Sequence, residues 1–108
     1  MNDCKRTTIP IGSDFRVKIQ ITNLGENTHL SDNTVTLVCK FRVATAEIEL
    51  AKSDLTQLDQ ATYVAAIDSS ELARGDLYLE THTGVPDSAF DDGVRNEIVL
   101  TDTLITIV

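Results

Sequence analysis

Apolar and polar residues alternate along most of this chain, which is the pattern of β-strands with one buried face. In residues 15–22 the apolar positions are Phe15, Val17, Ile19 and Ile21. The longest alternation covers residues 34–43 and predicts an inward row of Val35, Leu37, Cys39, Phe41 and Val43. Strands with one solvent-exposed face and one buried face are typical of antiparallel sheets rather than parallel ones.

Shorter alternating segments predict the remaining strands. They cover residues 7–11, 44–52, 61–67, 77–83, 94–100 and 104–108. Pro10 limits the first of them to an edge or an irregular start, because proline cannot donate to a sheet. Thr101, Asp102 and Thr103 are predicted to form a turn between the last two strands.

The stretch of residues 61–83 predicts strand, helical turn and strand around one corner. Asp68 and Glu71 have the spacing of a helix N-terminal capping box, with Leu72 just behind them. Gly75 is predicted to end this short helical turn, near residues 69–74, in a left-handed conformation.

Three polar segments are predicted to be connections. Residues 23–33 form a loop under which Leu24 and Leu30 are buried. Residues 53–60 are either a helical turn or a strand and turn. Residues 84–93 form a long loop that Phe90 anchors against the rest of the domain.

Seven or eight short strands, with no long helical period, predict an all-β sandwich; a closed barrel is the alternative. A length of 108 residues suits one domain with its own core. We therefore expect a flexible N-terminal tail at residues 1–6 and a single domain at residues 7–108.

Charge and hydropathy narrow the classes of function. The net charge of −8 and the scattered lysines and arginines argue against nucleic-acid binding, which needs a basic face. No apolar run approaches the roughly 20 residues that span a bilayer. The first residues, MNDCKRTT, show no apolar core of a signal peptide, so no secretory signal is visible.

The two cysteines are predicted to be reduced thiols. Cys39 belongs to the inward row of its strand, whereas Cys4 lies in the polar tail. A bridge between them would require the tail to enter the core.

The sequence assigns no catalytic, cofactor-binding or metal-binding residue, and we expect no enzyme activity. His29 and His82 stand without metal-ligand spacing, and Ser69 and Ser70 fit helix capping. Asp87, Asp91, Asp92 and Gly93 resemble a fragment of a calcium loop but lack its alternating ligands. An enzyme would need Asp91 or Asp92 beside His82.

A family resemblance is carried by three segments. They are GSDFRVKIQITNLGENTHLSDNTVTLVCKF, YVAAIDSSELARGDLYLE and PDSAFDDGVRNEIVLTDTLITIV. Together they resemble the immunoglobulin-like N-terminal domain of phage baseplate upper proteins and tail fibres, including prophage proteins of gut Bacteroidetes. The middle segment is also similar to the tyrosine corner of immunoglobulin-like folds, with Tyr78 as the tyrosine, although Glu80 replaces the second cysteine of the usual disulfide.

The resemblance implies an immunoglobulin-like antiparallel sandwich that is a non-enzymatic structural module of a phage or prophage tail. Its partners would be other tail or baseplate proteins and further copies of itself, with no cofactor. It would be made in the bacterial cytoplasm and become part of the virion. The alternative is a surface adhesion or glycan-binding sandwich, which would need an exposed row of aromatic side chains.

Overall fold

The computed structural model describes residues 5–108 and is an all-β sandwich of two sheets. Its strands are β1 (Thr7–Ile9), β2 (Asp14–Gln20), β3 (Thr36–Val43), β4 (Ala46–Ala51), β5 (Thr56–Gln57), β6 (Thr62–Asp68), β7 (Gly75–Pro86) and β8 (Val94–Ile107). Two short 3₁₀ turns, Lys52–Asp54 and Ser69–Glu71, are the helical elements of the described chain.

The sheets contain five and three strands, in the orders β1-β8-β7-β3-β4 and β2-β6-β5. The pairing β8-β7-β3-β4 corresponds to G-F-C-C′ of an immunoglobulin-like sandwich, and β2-β6-β5 corresponds to B-E-D. The alternative of a closed barrel is therefore wrong. One pair departs from the antiparallel pattern, because β1 runs parallel to β8 with Thr7 opposite Ile105.

The predicted inward rows form one core between the sheets. The side chains at all five inward positions of the long alternation, from Val35 to Val43, are at most 2% exposed. They face Val17 and Ile19 of β2 and the apolar residues of β6 within a single cluster. Because the chain alternates with period 2, one face of each strand fills this layer and the other stays polar.

The predicted turn at Thr101, Asp102 and Thr103 is wrong, since β8 runs without a break through these residues. The register shifts instead, so that Leu77 pairs with Ile105 while Tyr78 pairs with Asp102. Leu104 has a φ of 60° inside this bulge. The Thr103 hydroxyl donates to the Leu77 carbonyl at 2.8 Å, which holds the bulge to β7.

The hairpin between β7 and β8 is longer, and its turn shorter, than the sequence predicts. β7 continues to Pro86, whereas β8 begins at Val94 as predicted, which leaves residues 87–93 as the turn. Phe90 is 48% exposed, so the prediction that it anchors this segment is wrong. The extended strands carry the turn outward, where Phe90 lies apart from the core cluster.

The corner between β6 and β7 is close to its prediction. The Asp68 carboxylate accepts from the Ser70 backbone N–H at 3.0 Å and caps the turn Ser69–Glu71. Gly75 begins β7 rather than ending the helical turn, which finishes at Leu72. Its φ of +139° is nevertheless one that side-chain-bearing residues rarely adopt.

Lys52 closes the long loop between β2 and β3. Its ammonium donates to the carbonyls of Leu30, Asp32 and Val35 at 2.9, 2.9 and 2.5 Å. All three N–H donors of the side chain are thereby used. The predicted burial of Leu24 and Leu30 is confirmed, at 2% and 0% exposed.

The segment of residues 53–60 combines the two alternatives that the sequence allows, a helical turn and a strand. A 3₁₀ turn at Lys52–Asp54 precedes the two-residue strand β5. Leu55 packs against the core, whereas Leu58 is 56% exposed.

Most of the predicted tail, residues 1–4, lies outside the described residues. Arg6 lies within them and is bound to β8. Its guanidinium donates to the Asp102 carboxylate at 2.7 Å and to the Thr106 hydroxyl at 2.8 Å.

Replacing Gly75 by valine should destabilise the fold by about 1–3 kcal/mol, because the backbone conformation disfavours a β-branched residue. An added Cβ would also lie 3.1 Å from Val43 Cγ1. Gly12→Val is the matched control, since Gly12 has a φ of +97° with open space around its Cβ position. Urea unfolding should show the larger loss for Gly75→Val, and equal losses would contradict the packing argument.

Lys52→Met should lower the free energy of unfolding by about 1–3 kcal/mol, because it removes the donor to three loop carbonyls. Hydrogen exchange of residues 30–35 should accelerate with it. The control is Lys40→Met, which loses only a 3.9 Å ion pair with Glu49 and should change stability by less than about 1 kcal/mol. Similar losses in both variants would refute this role of Lys52.

Candidate functional site

The feature of the fold that most suits an interaction is the open edge, defined as residues 94–102 of β8. On one side β8 pairs with β7 along its full length. On the other side β1 covers only Ile105 to Ile107. Within residues 5–108, no strand pairs with the open edge from outside, so its outward peptide N–H and C=O groups are available to a further strand.

The open edge also carries the most exposed apolar run of the described chain. Ile98, Val99 and Leu100 are 63%, 54% and 65% exposed. Ile98 and Leu100 lie on the outer face of the sheet, opposite His82 and Glu80, whereas Val99 lies on the inner face opposite Thr81. A further strand could therefore contact apolar side chains on both faces.

Inside the open edge a groove of about 410 Å³ separates the two sheets. Its walls are the free side of β2 with the segment after it, and the inner faces of β7 and β8. Ile21 and Leu79 contribute apolar surface, and Thr83 and Thr101 contribute hydroxyl groups. The groove, or seam, lies where the three-stranded sheet does not extend far enough to cover β8.

Arg95 closes one end of this seam. Its guanidinium donates to the Leu24 carbonyl at 2.9 Å, across the gap between the sheets. The same group lies 3.5 Å from Asp87 and 3.2 Å from Glu97. The positive charge at this end is therefore already compensated by carboxylates of the same hairpin.

The other sheet edges are protected from pairing. β1 and β5 are only three and two residues long. β4 carries Glu47 and Glu49, and β2 carries Arg16 and Lys18. Short length and exposed charge are the usual means of blocking edge-to-edge pairing, and the segment from Asn96 to Thr101 has neither lysine nor proline.

The second cluster of interest is ionic and lies on the outer face of the five-stranded sheet. Glu80 accepts from Arg42 at 3.2 Å and lies 2.5 Å from His82 Nε2. Glu47 accepts from the same arginine at 2.6 Å. The hydrogen bond to His82 and the charge of Arg42 hold the pKa of Glu80 below its ordinary value.

The arrangement that an enzyme would require is not present at the residues considered. His82 pairs with Glu80, and four further strand residues, roughly 13 Å of chain, separate it from the turn that holds Asp91 and Asp92. Asp92 instead accepts from the Val94 N–H at 3.1 Å, which is a turn contact. Across residues 5–108 no group of three or more histidine, cysteine, aspartate or glutamate residues is placed to hold a metal ion.

The remaining nucleophiles and bases have structural contacts. Ser69 is fully buried and accepts from the Gly12 N–H at 2.8 Å, while Ser70 donates to Asp68. His29 lies 3.9 Å from Asp32 in the loop.

Cys39 is a free, fully buried thiol, and burial raises its pKa to about 11, so it is a poor nucleophile. Cys4 lies outside the described residues.

The exposed aromatic side chains do not form a row. Tyr78 is 40% exposed near the bulge, and Phe90 is in the turn at the other end of the same hairpin. The resemblance to a tyrosine corner also fails, because the strand period directs Leu77 and Leu79 inward and Tyr78 outward.

Sequence reasoning missed the open edge as a site. The signal was present in the run of Ile98, Val99 and Leu100, which breaks the alternation of an otherwise half-polar strand. A buried strand gives the same run. Only the pairing of β8 shows that no strand of residues 5–108 covers this one.

Glu80→Gln should lower the melting temperature most at neutral pH. Because folding lowers the pKa of Glu80, its stabilising contribution is complete above the ordinary value of 4.5 and is lost as pH falls through the lower folded value. The difference from wild type should therefore shrink below pH 4.5. Glu26→Gln, in the exposed loop, is the control and should change little. A difference that is constant with pH would contradict the ionic role of Glu80.

No helix among residues 5–108 has the length and apolar character to cross a membrane. In comparisons with known proteins, no family model, no curated protein and no solved structure matches the chain.

Proposed function

We propose that the chain is a non-enzymatic structural module that assembles into a phage or prophage tail, at the baseplate or at the attachment of a fibre. It is made in the bacterial cytoplasm and incorporated into the virion. Its partners are other tail proteins and further copies of itself.

The observation that carries this proposal is the open edge of β8. It offers unpaired backbone groups beside the exposed Ile98, Val99 and Leu100. Strand addition to such an edge uses main-chain hydrogen bonds for affinity and alternate side chains for specificity. A protein whose work is to be held in an assembly needs a surface of this kind and needs no cleft with converging titratable groups.

The placement of the charged residues supports a structural role. Arg6 and Arg42 bind carboxylates of neighbouring strands, and Arg95 binds carboxylates of its own hairpin. Asp68, Asp87 and Asp92 accept from backbone N–H groups of turns. These side chains stabilise the sandwich and its corners. General acid–base catalysis instead requires groups that are free to exchange protons with a substrate.

The segments that carry the family resemblance fall on the parts of the fold that position this edge. Residues 12–41 form β2 and most of β3. Residues 63–80 form most of β6, the corner after it and the first half of β7, and residues 86–108 form the turn and β8. The resemblance therefore includes the whole of the open edge.

The test is to follow the chain through particle purification. After prophage induction in the host that encodes it, tail-bearing particles are separated on a density gradient and probed with an antibody to the chain. We expect the chain to sediment with the particles, and a cytoplasmic enzyme of the same host, the control, to stay at the top. Recovery of the chain only in the soluble fraction would contradict the proposal, as would neighbouring genes that encode no tail or baseplate protein.

A further inference from the structure

We propose that the open edge of β8 pairs antiparallel with the same edge of a second copy of the chain, about a two-fold axis at Val99. The two five-stranded sheets would then form one continuous sheet. This inference rests on the proposed assembly function and names the partner and the register that the function uses.

The choice of edge follows from what protects the alternatives. β4 and β2 present rows of like charge, negative at Glu47 and Glu49 and positive at Arg16 and Lys18. A two-fold axis at Ile48 of β4, or at Val17 of β2, would oppose like charges. The open edge holds Arg95, Glu97 and Asp102, and Asp102 is paired with Arg6, so these four charges cancel although the chain carries −8.

Symmetry restricts the registers that two copies can adopt. A two-fold axis perpendicular to the sheet keeps each side chain on its own face, so directly opposed residues must have numbers of the same parity. Axes at Ile98, Val99 and Leu100 are the candidates within the apolar run.

Side-chain pairing selects the axis at Val99. With this axis, Val99 opposes its own copy on the inner face, and Ile98 opposes Leu100 of the second copy on the outer face. An axis at Ile98 would place Val99 against Glu97, and an axis at Leu100 would place Ile98 against Asp102. Only the Val99 register joins apolar to apolar at every position of the run, which is the arrangement that stabilises neighbouring strands.

The charged neighbours agree with the same register. Glu97 opposes Thr101 of the second copy, and Asn96 opposes Asp102, so no like charges meet. Asp102 is already bound to Arg6 at 2.7 Å within its own chain. The two copies of Val99 meet at the mouth of the groove between the sheets, beside Thr81 and Thr101. The exposed inner face of the open edge is thereby partly covered.

Cysteine cross-linking tests the register directly. In a Cys4→Ser background, Val99→Cys places two thiols opposite each other, with Cα atoms about 4.5–5.5 Å apart, within disulfide range. Thr101→Cys is the matched control, because its two copies would lie roughly 14 Å apart in this register. We expect a covalent dimer on mild oxidation at residue 99 and none at residue 101. Equal cross-linking at both positions, or none at residue 99, would overturn the proposal.

Association in solution tests the partner. We expect sedimentation equilibrium of the full chain to give a reversible dimer, and Val99→Lys to weaken it by at least about tenfold, because two ammonium groups would then oppose each other at the axis. Leu58→Lys is the control, since Leu58 is an equally exposed apolar residue that directly follows β5, at the edge of the other sheet. It should leave the dimer unchanged, and the melting temperature of each variant reports that it is folded. A wild-type chain that stays monomeric up to about 1 mM would overturn the proposal.

The two proposals fail separately. A dimer with the Val99 register but no recovery in particles would support this inference and overturn the tail function. A chain that is recovered in particles but is monomeric in isolation, with no cross-link at residue 99, would overturn this inference and leave the tail function supported.

Discussion

The structure depends on one layer of apolar side chains held between two sheets. β3 and β7 supply one side of this layer, through rows that include Phe41 and Leu77, and β2 and β6 supply the other. Burial of such side chains is the main favourable term in folding, and a domain of this size needs nearly all of the apolar burial that its sequence offers. The loops, corners and edges can be polar because this layer is continuous.

The polar contacts then hold the connections that the core does not reach. Lys52 binds three carbonyls of the loop between β2 and β3, and Ser69 joins the corner after β6 to the segment before β2. Arg6 and Arg95 bind the two ends of β8 to neighbouring segments. Each of these groups satisfies backbone or carboxylate partners that would otherwise be left without a hydrogen bond.

β8 differs from every other edge of the described sandwich. It is the longest strand, at 14 residues, and β1 covers only its last part. The bulge at Thr103 and Leu104 lies between the covered part and the open edge. Extra residues in one strand bend it and interrupt pairing, so the bulge separates the part of β8 that β1 covers from the open edge.

Much of this fold could be predicted from the sequence by itself. The two-residue period determined the strands and their inward faces, from Val17 to Leu79, because each strand needs one face in water and one in the core. The capping spacing from Asp68 determined the corner before β7. The sequence misjudged residues 101–103, where threonine and aspartate favour a turn locally but long-range pairing of β7 with β8 takes precedence. It also misjudged Phe90, because β7 extends further than predicted and Phe90 lies apart from the core.

Only the tertiary structure decided which strand stands at an open edge. The run of Ile98, Val99 and Leu100 does not show in the sequence whether its strand is covered, because a run of apolar residues is the same pattern whether a neighbour covers it or not. Coverage depends on how far β1 extends along β8 and how far the three-stranded sheet reaches beneath it. The first of these relations joins segments more than 90 residues apart in the chain, such as Thr7 opposite Ile105, and no local pattern encodes either of them.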